Sequence, residues 1–200
     1  MEKIGVVCRL QVQVANLKQG AAGFRYYDPS PLRTVERLQI DQSGVLGLEG
    51  DTPWPDIHHA DHPASKFRGH NGLSVNVTGH YAAMREHFGP HLTDGIAGEN
   101  ILIDAAAFPF AGDGDGLLVI RAANGFQTVL GELSVAAPCE PFSRFALDLD
   151  ARPPAAMMKD TLQFLDGGRR GFYATLTPQP SDHVPAVIHL GDQVLFVPRA

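Results

Sequence analysis

The sequence predicts a mainly β domain, a sandwich or barrel with a few short helices. Three observations lead there. Glycine (21) and proline (15) are scattered along all 200 residues, so the chain is cut into short elements. The apolar runs between these breaks are strand-sized and rich in β-branched and aromatic residues. Some of them alternate apolar and polar positions, the period of a half-buried strand.

Taken in order, Ile4 to Val14 reads as a strand, with Leu10, Val12 and Val14 on one side and Gln11 and Gln13 on the other. Segment 52–69 shows no period and is expected to be a long loop. Leu73 to Val77 is a strand with its odd-numbered residues on one face. Thr78 can cap a helix over Gly79 to Phe88, whose Tyr81, Met84 and Phe88 form a stripe, and Gly89-Pro90 ends it. Gly112-Asp-Gly-Asp-Gly116 looks like half a calcium loop but lacks the other ligands, so a tight hairpin turn is expected. Leu117 to Arg121 and Thr128 to Val135 are strands. A second helix begins near Pro153-Pro154 and runs to about Leu165, with Met158, Leu162 and Leu165 on one stripe and Gly167-Gly168 as its stop. Phe172 to Thr177 and Gln193 to Val197 complete the strands.

Length favours one domain spanning residues 1–200, with enough chain to bury a core without disulfide staples. Hydrophobic residues are 44% and charged residues 19%, ordinary globular usage that excludes a wholly disordered chain. Lys plus Arg is 16 against 22 for Asp plus Glu, a net charge of −6, and no long basic run is present. Such a chain is a poor generic partner for nucleic acid. No apolar run approaches the roughly 18 residues of a membrane span. With no recognisable secretory leader and only two cysteines, Cys8 and Cys139, a cytoplasmic protein is expected.

Besides the Gly112–Gly116 turn, four local features carry possible chemistry. Cys139 stands between Pro138 and Pro141 and before Arg144, which suggests a rigid exposed turn with a thiol beside a guanidinium. A thiolate there is a nucleophile and a soft metal ligand; the alternative is a small buried hydrophobe. Cys8, within an apolar strand, reads as such a hydrophobe. Gly167-Gly-Arg-Arg-Gly171 offers backbone N–H groups and two guanidinium forks to an oxyanion, or simply caps a helix with Arg169 and Arg170 against its dipole. Gly98-Glu99-Asn100 either aims a side chain inward or is a turn held by Asn bonds to its own backbone, and read alone the turn is preferred. His58, His59, His62 and His70 crowd one region without metal-site spacing, so solvated loop histidines are preferred to a metal site. No phosphate-binding glycine loop and no nucleophile elbow is present.

The order of these features is more informative than any one of them. Gly47-Leu-Glu-Gly-Asp51, Gly69-His-Asn-Gly72 before a strand, His80-Tyr81 in a helix, Gly98-Glu-Asn-Ile101, Pro138-Cys139, Arg170-Gly-Phe-Tyr173 and Gly191-Asp192 before the last strand follow one another. Over about residues 40–198 this resembles the MOSC domain, the C-terminal module of molybdenum cofactor sulfurases, and most of all its stand-alone bacterial branch linked to hydroxylaminopurine resistance. The resemblance implies a β-barrel-like fold, similar to the pyruvate kinase β-barrel domain. It implies a molybdenum cofactor (molybdopterin) held by Cys139, or sulfur carried on Cys139 as a persulfide. Arg169 and Arg170 then match a basic turn around the cofactor, with Arg144, Asn100 and His70 as further cofactor contacts. The text around His70 and residues 143–151 departs from the family pattern.

Three functions are therefore in play. The first is a reductase of N-hydroxylated or other N–O compounds, a small-molecule enzyme fed by an external electron donor. The second is a sulfur-transfer module served by a pyridoxal-phosphate cysteine desulfurase. The third is a non-catalytic binding barrel.

Overall fold

The computed structural model describes residues 1–69, 72–110, 112, 116–177 and 185–198. In chain order the elements are β1 (Glu2–Gln13), β2 (Lys18–Gln19), β3 (Tyr26–Tyr27), β4 (Leu32–Thr34), β5 (Arg37–Asp41), β6 (Gly44–Glu49), β7 (Thr52–Pro55), β8 (Leu73–Val77) and α1 (Thr78–Phe88). There follow β9 (Ile101–Asp104), β10 (Gly116–Arg121), β11 (Gln127–Val135), α2 (Glu140–Ala146), α3 (Ala155–Leu165), β12 (Phe172–Leu176), β13 (Ala186–His189) and β14 (Gln193–Pro198).

The main sheet runs β14-β10-β11-β12-β8-β9-β1, and β1 pairs back onto β14, so seven strands close a barrel. Closure removes the unpaired edges that an open sheet would expose. Strand β1 makes this possible by changing partners along its length. Its first residues pair with β14, Val6 to Leu10 pair with β9, and Gln11 to Gln13 leave the barrel to pair with β4. Two register shifts, at Lys3/Gly5 and Val7/Arg9, bend it through these changes.

A second sheet, β13-β5-β6-β7, packs on the barrel. The two share one core, in which Leu10, Val12, Val75, Ile101, Leu130 and Phe172 of the barrel meet Leu38, Ile40, Val45 and Ile188 of the small sheet. Gly47 lets the sheets approach: a β-carbon there would lie 2.7 Å from Val35 Cγ1. A separate cluster under the helices joins Leu17, Tyr27, Tyr81, Met84, Leu92, Phe142 and Leu165, with Cys139 at its margin.

Among the described residues the one parallel pairing, β8 with β9, requires a crossover, and α1 provides it. That crossover returns the chain to the barrel through Gly98-Glu99-Asn100. Thr78 does not cap α1 as expected. The N-cap is Val77, without a side-chain bond, and Thr78 Oγ1 instead donates to Asp104 Oδ1 or Ala105 O and accepts from Ala105 N-H at 3.2 Å. Segment 52–69 is not loop throughout, since Thr52–Pro55 adds β7 to the edge of β6. On α3 the buried residues are Thr161 and Leu165, while Met158 and Leu162 border a surface hollow. Among the described residues no helix is long and apolar enough to cross a membrane.

Leu10 is fully buried, and its main chain faces β9 on one side and accepts from Val35 N-H at 3.0 Å on the other. Leu10→Ala is expected to cost about 2–5 kcal/mol of stability, measurable as a lower urea midpoint at unchanged slope. A loss near zero would contradict the shared core.

Candidate functional site

The site is assembled where the crossover meets the barrel. Gly98 adopts φ +93°, and a β-carbon there would lie 2.6 Å from Leu17 and 3.1 Å from Gln13 Nε2, so glycine is required on both counts. Its carbonyl accepts from Gln13 Nε2 at 2.7 Å. The turn aims both following side chains inward: Glu99 and Asn100 are each 3% exposed. The inward alternative is therefore correct, and Asn100 bonds across the fold rather than to its own turn. Its Oδ1 accepts from Ser74 N-H at 3.0 Å, and its Nδ2 donates to Asp56 Oδ2 at 3.0 Å and Gln11 O at 3.2 Å.

Glu99 Oε2 accepts from Tyr81 O-H at 2.7 Å, and the same hydroxyl accepts from Ala97 N-H at 2.9 Å. Oε1 has no hydrogen-bond partner among the described residues. Burial pushes the Glu99 carboxyl up to about 7, although Tyr81, the local backbone and the Arg170 and Arg9 charges pull it back.

The two adjacent arginines part company. Arg169 turns to α3, where it donates to Phe164 O and stacks on the Phe164 ring at 4.2 Å. It caps a helix, the plainer of its two expected roles. Arg170 turns the other way. Nη2 donates to Ala97 O at 2.9 Å, Nη1 reaches Cys139 Sγ at 3.8 Å, and the guanidinium lies over Phe142 at 4.2 Å. Its Nε has no partner among the described residues. Gly171, just after the pair, adopts φ +93°, and a β-carbon there would lie 2.5 Å from Val75 O.

Cys139 is half-buried rather than on an exposed turn. It is the N-cap of the short helix α2, and its carbonyl accepts from Ser143 N-H at 2.9 Å. Arg170 and Ala136 line a cleft of about 140 Å³ together with Gly98 to Asn100, Lys18, Tyr27, His58 and Lys66. Partial burial and the nearby Lys18, Arg25 and Arg68 charges hold the Lys66 ammonium below the ordinary lysine range. In a chain of net charge −6, this is a locally cationic cleft.

A model of the MOSC domain matches residues 58–195. The chain belongs to the MOSC domain family. Across 96% of both chains it also superposes on the YUAD protein from Bacillus subtilis, with a TM-score of 0.55 at 11% identity. A second crystal structure, described as a hypothetical protein, gives a TM-score of 0.51 at 12% identity over 98% of this chain and 70% of the other. At such identities these two report the barrel fold alone. No curated protein matches significantly. MOSC domains are associated with the molybdenum cofactor, so the thiol, the cationic cleft and the Gly-Glu-Asn turn lie within a module of that class.

Other expected residues of this MOSC domain fall elsewhere. Arg144 is buried in a hollow between α2 and β3, stacked at 4.3 Å on Phe24 and donating to Arg25 O, and it does not line the cleft. His59 is 2% exposed, and His62 bonds to Val14 O at 3.1 Å and accepts from Ala64 N-H at 3.0 Å, so neither is a freely solvated side chain. Among the described residues no three His, Cys, Asp or Glu side chains converge as a metal site. His70 and the turn at residues 113–115 lie outside the described residues. Cys8 is exposed, on the outer face of β1 at its second register shift, not a core residue. Lost hydration and the Asp104 and Asp94 charges push its thiol up to about 11.

Sequence reading missed Lys18, Lys66, Asp56 and the role of His58. Lys66-Phe-Arg68, in the otherwise acidic and histidine-rich loop, was the available signal.

Because Glu99 holds its proton to about pH 7 in the fold but only to about 4.5 when unfolded, the folded chain binds the extra proton between those values. The contribution of Glu99 to stability therefore falls as pH rises from about 4.5 to 7, while buried His80, held down to about 4, contributes the opposite trend between about 4 and 6.5. At 1.36 kcal/mol per pH unit, the loss from Glu99 is on the order of 3 kcal/mol. Relative to wild type, Glu99→Gln should therefore gain stability between pH 4.5 and pH 8 in urea unfolding; the same pH difference in both proteins would show that the carboxyl makes no such contribution.

Proposed function

We propose that this MOSC domain binds a molybdenum-containing pterin cofactor through Cys139 and reduces N-hydroxylated or other N–O compounds, with electrons from a partner protein. The observation that carries this reading is the Arg170 bridge. One guanidinium touches both the Cys139 thiol and the carbonyl of Ala97, which lines the cleft, and so ties the soft donor to the cationic cavity.

The residues fit such a group. A thiol is the kind of donor molybdenum takes. Lys18, Lys66 and Arg170 suit the phosphate of an anionic cofactor, and Lys and Arg bind phosphate by different means, the first as a point charge and the second as a fork. The unpartnered Nε of Arg170 is a spare donor beside the cleft. At about 140 Å³ the cavity is smaller than the roughly 300 Å³ of a pocket that encloses its ligand, so a pterin would lie across it. When bound, the cofactor supplies the redox-active metal, and the protein supplies position, charge and protons.

A second reading rests on the half-exposed thiol, which stands beside the cleft rather than on its wall. A thiol so placed is open to a pyridoxal-phosphate cysteine desulfurase and could carry one sulfur as a persulfide.

Protein purified from a host that makes the cofactor is expected to contain near-stoichiometric molybdenum, and Cys139→Ser almost none. Absence of the metal from the wild type would overturn the cofactor reading. Mass spectrometry after incubation with a cysteine desulfurase and cysteine separates the alternative: one added sulfur on Cys139 supports the carrier role, and unmodified thiol counts against it.

A further inference from the structure

The cleft that Arg170 lines also borders a pair that the cofactor reading leaves unused. Asp56 has no solvent exposure, and His58 lines the cleft with its side chain 33% exposed. His58 Nδ1 donates to Asp56 Oδ1 at 2.8 Å. An ionised carboxylate only accepts, so Nδ1 must carry the hydrogen. That leaves Nε2 as the ring nitrogen not tied to Asp56, and no other described residue bonds to it.

The carboxylate itself is tightly fixed. Oδ1 also accepts from His58 N-H at 2.9 Å, and Oδ2 accepts from Gln13 N-H at 2.8 Å and from Asn100 Nδ2 at 3.0 Å. The Asn of the Gly-Glu-Asn turn thus holds the aspartate that orients the imidazole. A histidine held by a buried carboxylate is fixed in orientation and in tautomer, so its free ring nitrogen is the one that can move a proton.

We propose that His58 is the proton donor of the N–O reduction, with Asp56 and Asn100 as positioning residues. This rests on the reductase reading above. As the N–O bond of an N-hydroxylated substrate breaks, Nε2 of the imidazolium gives its proton to the departing hydroxyl oxygen, which leaves as water. The two electrons come from the external donor and remain with the nitrogen, which takes a second proton from solvent. His58 then recovers its proton through its exposed edge. Glu99 also borders the cleft, but it is nearly sealed from water and its Oε2 is engaged by Tyr81, so it is poorly placed to be recharged.

The test compares wild type with His58→Gln, both purified with molybdenum, using an artificial electron donor. Two substrates are needed: an N-hydroxylated base and its O-acetyl derivative, whose acetate departs without a proton. His58→Gln should lose about 10²- to 10⁴-fold in turnover of the hydroxyl substrate and change little on the acetyl one, at unchanged molybdenum content. Nitrogen-15 NMR of His58 provides a readout independent of turnover. The wild-type neutral ring should carry its hydrogen on Nδ1, and Asp56→Asn should abolish that preference. Equal losses on both substrates, no loss on either, or a wild-type ring protonated on Nε2 would each overturn the general-acid role. A molybdenum-loaded wild type that reduces neither substrate would instead overturn the reductase reading and the acid role with it.

Discussion

A carboxylate with no exposure to water must find all its hydrogen bonds inside the protein, and Asp56 finds four. They come from Gln13 on β1, from Asn100 at the entry to β9, and from the main chain and ring of His58. Leaving such a group half-satisfied costs more than the net worth of any one bond. The loop after β7, the far end of β1 and the crossover turn are therefore locked together as a unit. Of the three, only the crossover turn joins the barrel ladder, Asn100 N-H donating to Ser74 O and its carbonyl accepting from Gln11 N-H, both at 3.0 Å. The geometry of the cleft thus depends on a single side chain that packing alone would never have placed there.

The same logic explains the two arginines. Arg169 and Arg170 are chemically identical neighbours, yet one satisfies the carbonyl end of α3 and the other spans from a thiol to the crossover turn. Both sit in one tight turn between α3 and β12, where Gly167, Gly168 and Gly171 hold left-handed φ, and the partners within reach differ for each side chain. Local charge then follows from local geometry. The chain is acidic overall, but Lys18, Lys66 and Arg170 come from three separate segments onto one cavity.

These facts mark what a sequence can and cannot carry. The barrel strands were legible because β8, β10, β11, β12 and β14 are apolar runs bounded by turns, and β8 begins and ends where its period does. Arg37-Leu-Gln-Ile-Asp41 also alternates, and the structure buries Leu38 and Ile40, but its charged ends and short length hid it among the turns. Helix α2 was hidden by Pro141, which suits a first helical turn as well as it suits a loop. Cys139 and Arg170 were legible as a pair through the family resemblance, not through spacing. Asp56 and Lys18 carry no local signal, because their roles exist only once β1, the crossover and the loop have met. Cys8 was misjudged because a register shift turns its side chain outward, and such shifts leave no mark on an apolar run.

The Gly-Glu-Asn turn is where fold and chemistry cannot be separated. Gly98 is needed because no side chain fits against Leu17 and Gln13 at that φ. Glu99 is needed inward because Tyr81 and Ala97 close the helical cluster around it. Asn100 suits its place because its amide both accepts from the Ser74 main chain and donates to Asp56. An aspartate at position 100 would set two carboxylates against each other, and a leucine would leave both partners unsatisfied. The main-chain carbonyl that receives Arg170 belongs to Ala97, the residue just before this turn. One short segment therefore fixes the thiol side of the cleft through Arg170 and the imidazole side through Asp56. Arg170 and Asp56, with the side chains each of them holds, are thus coupled through four consecutive residues of one turn.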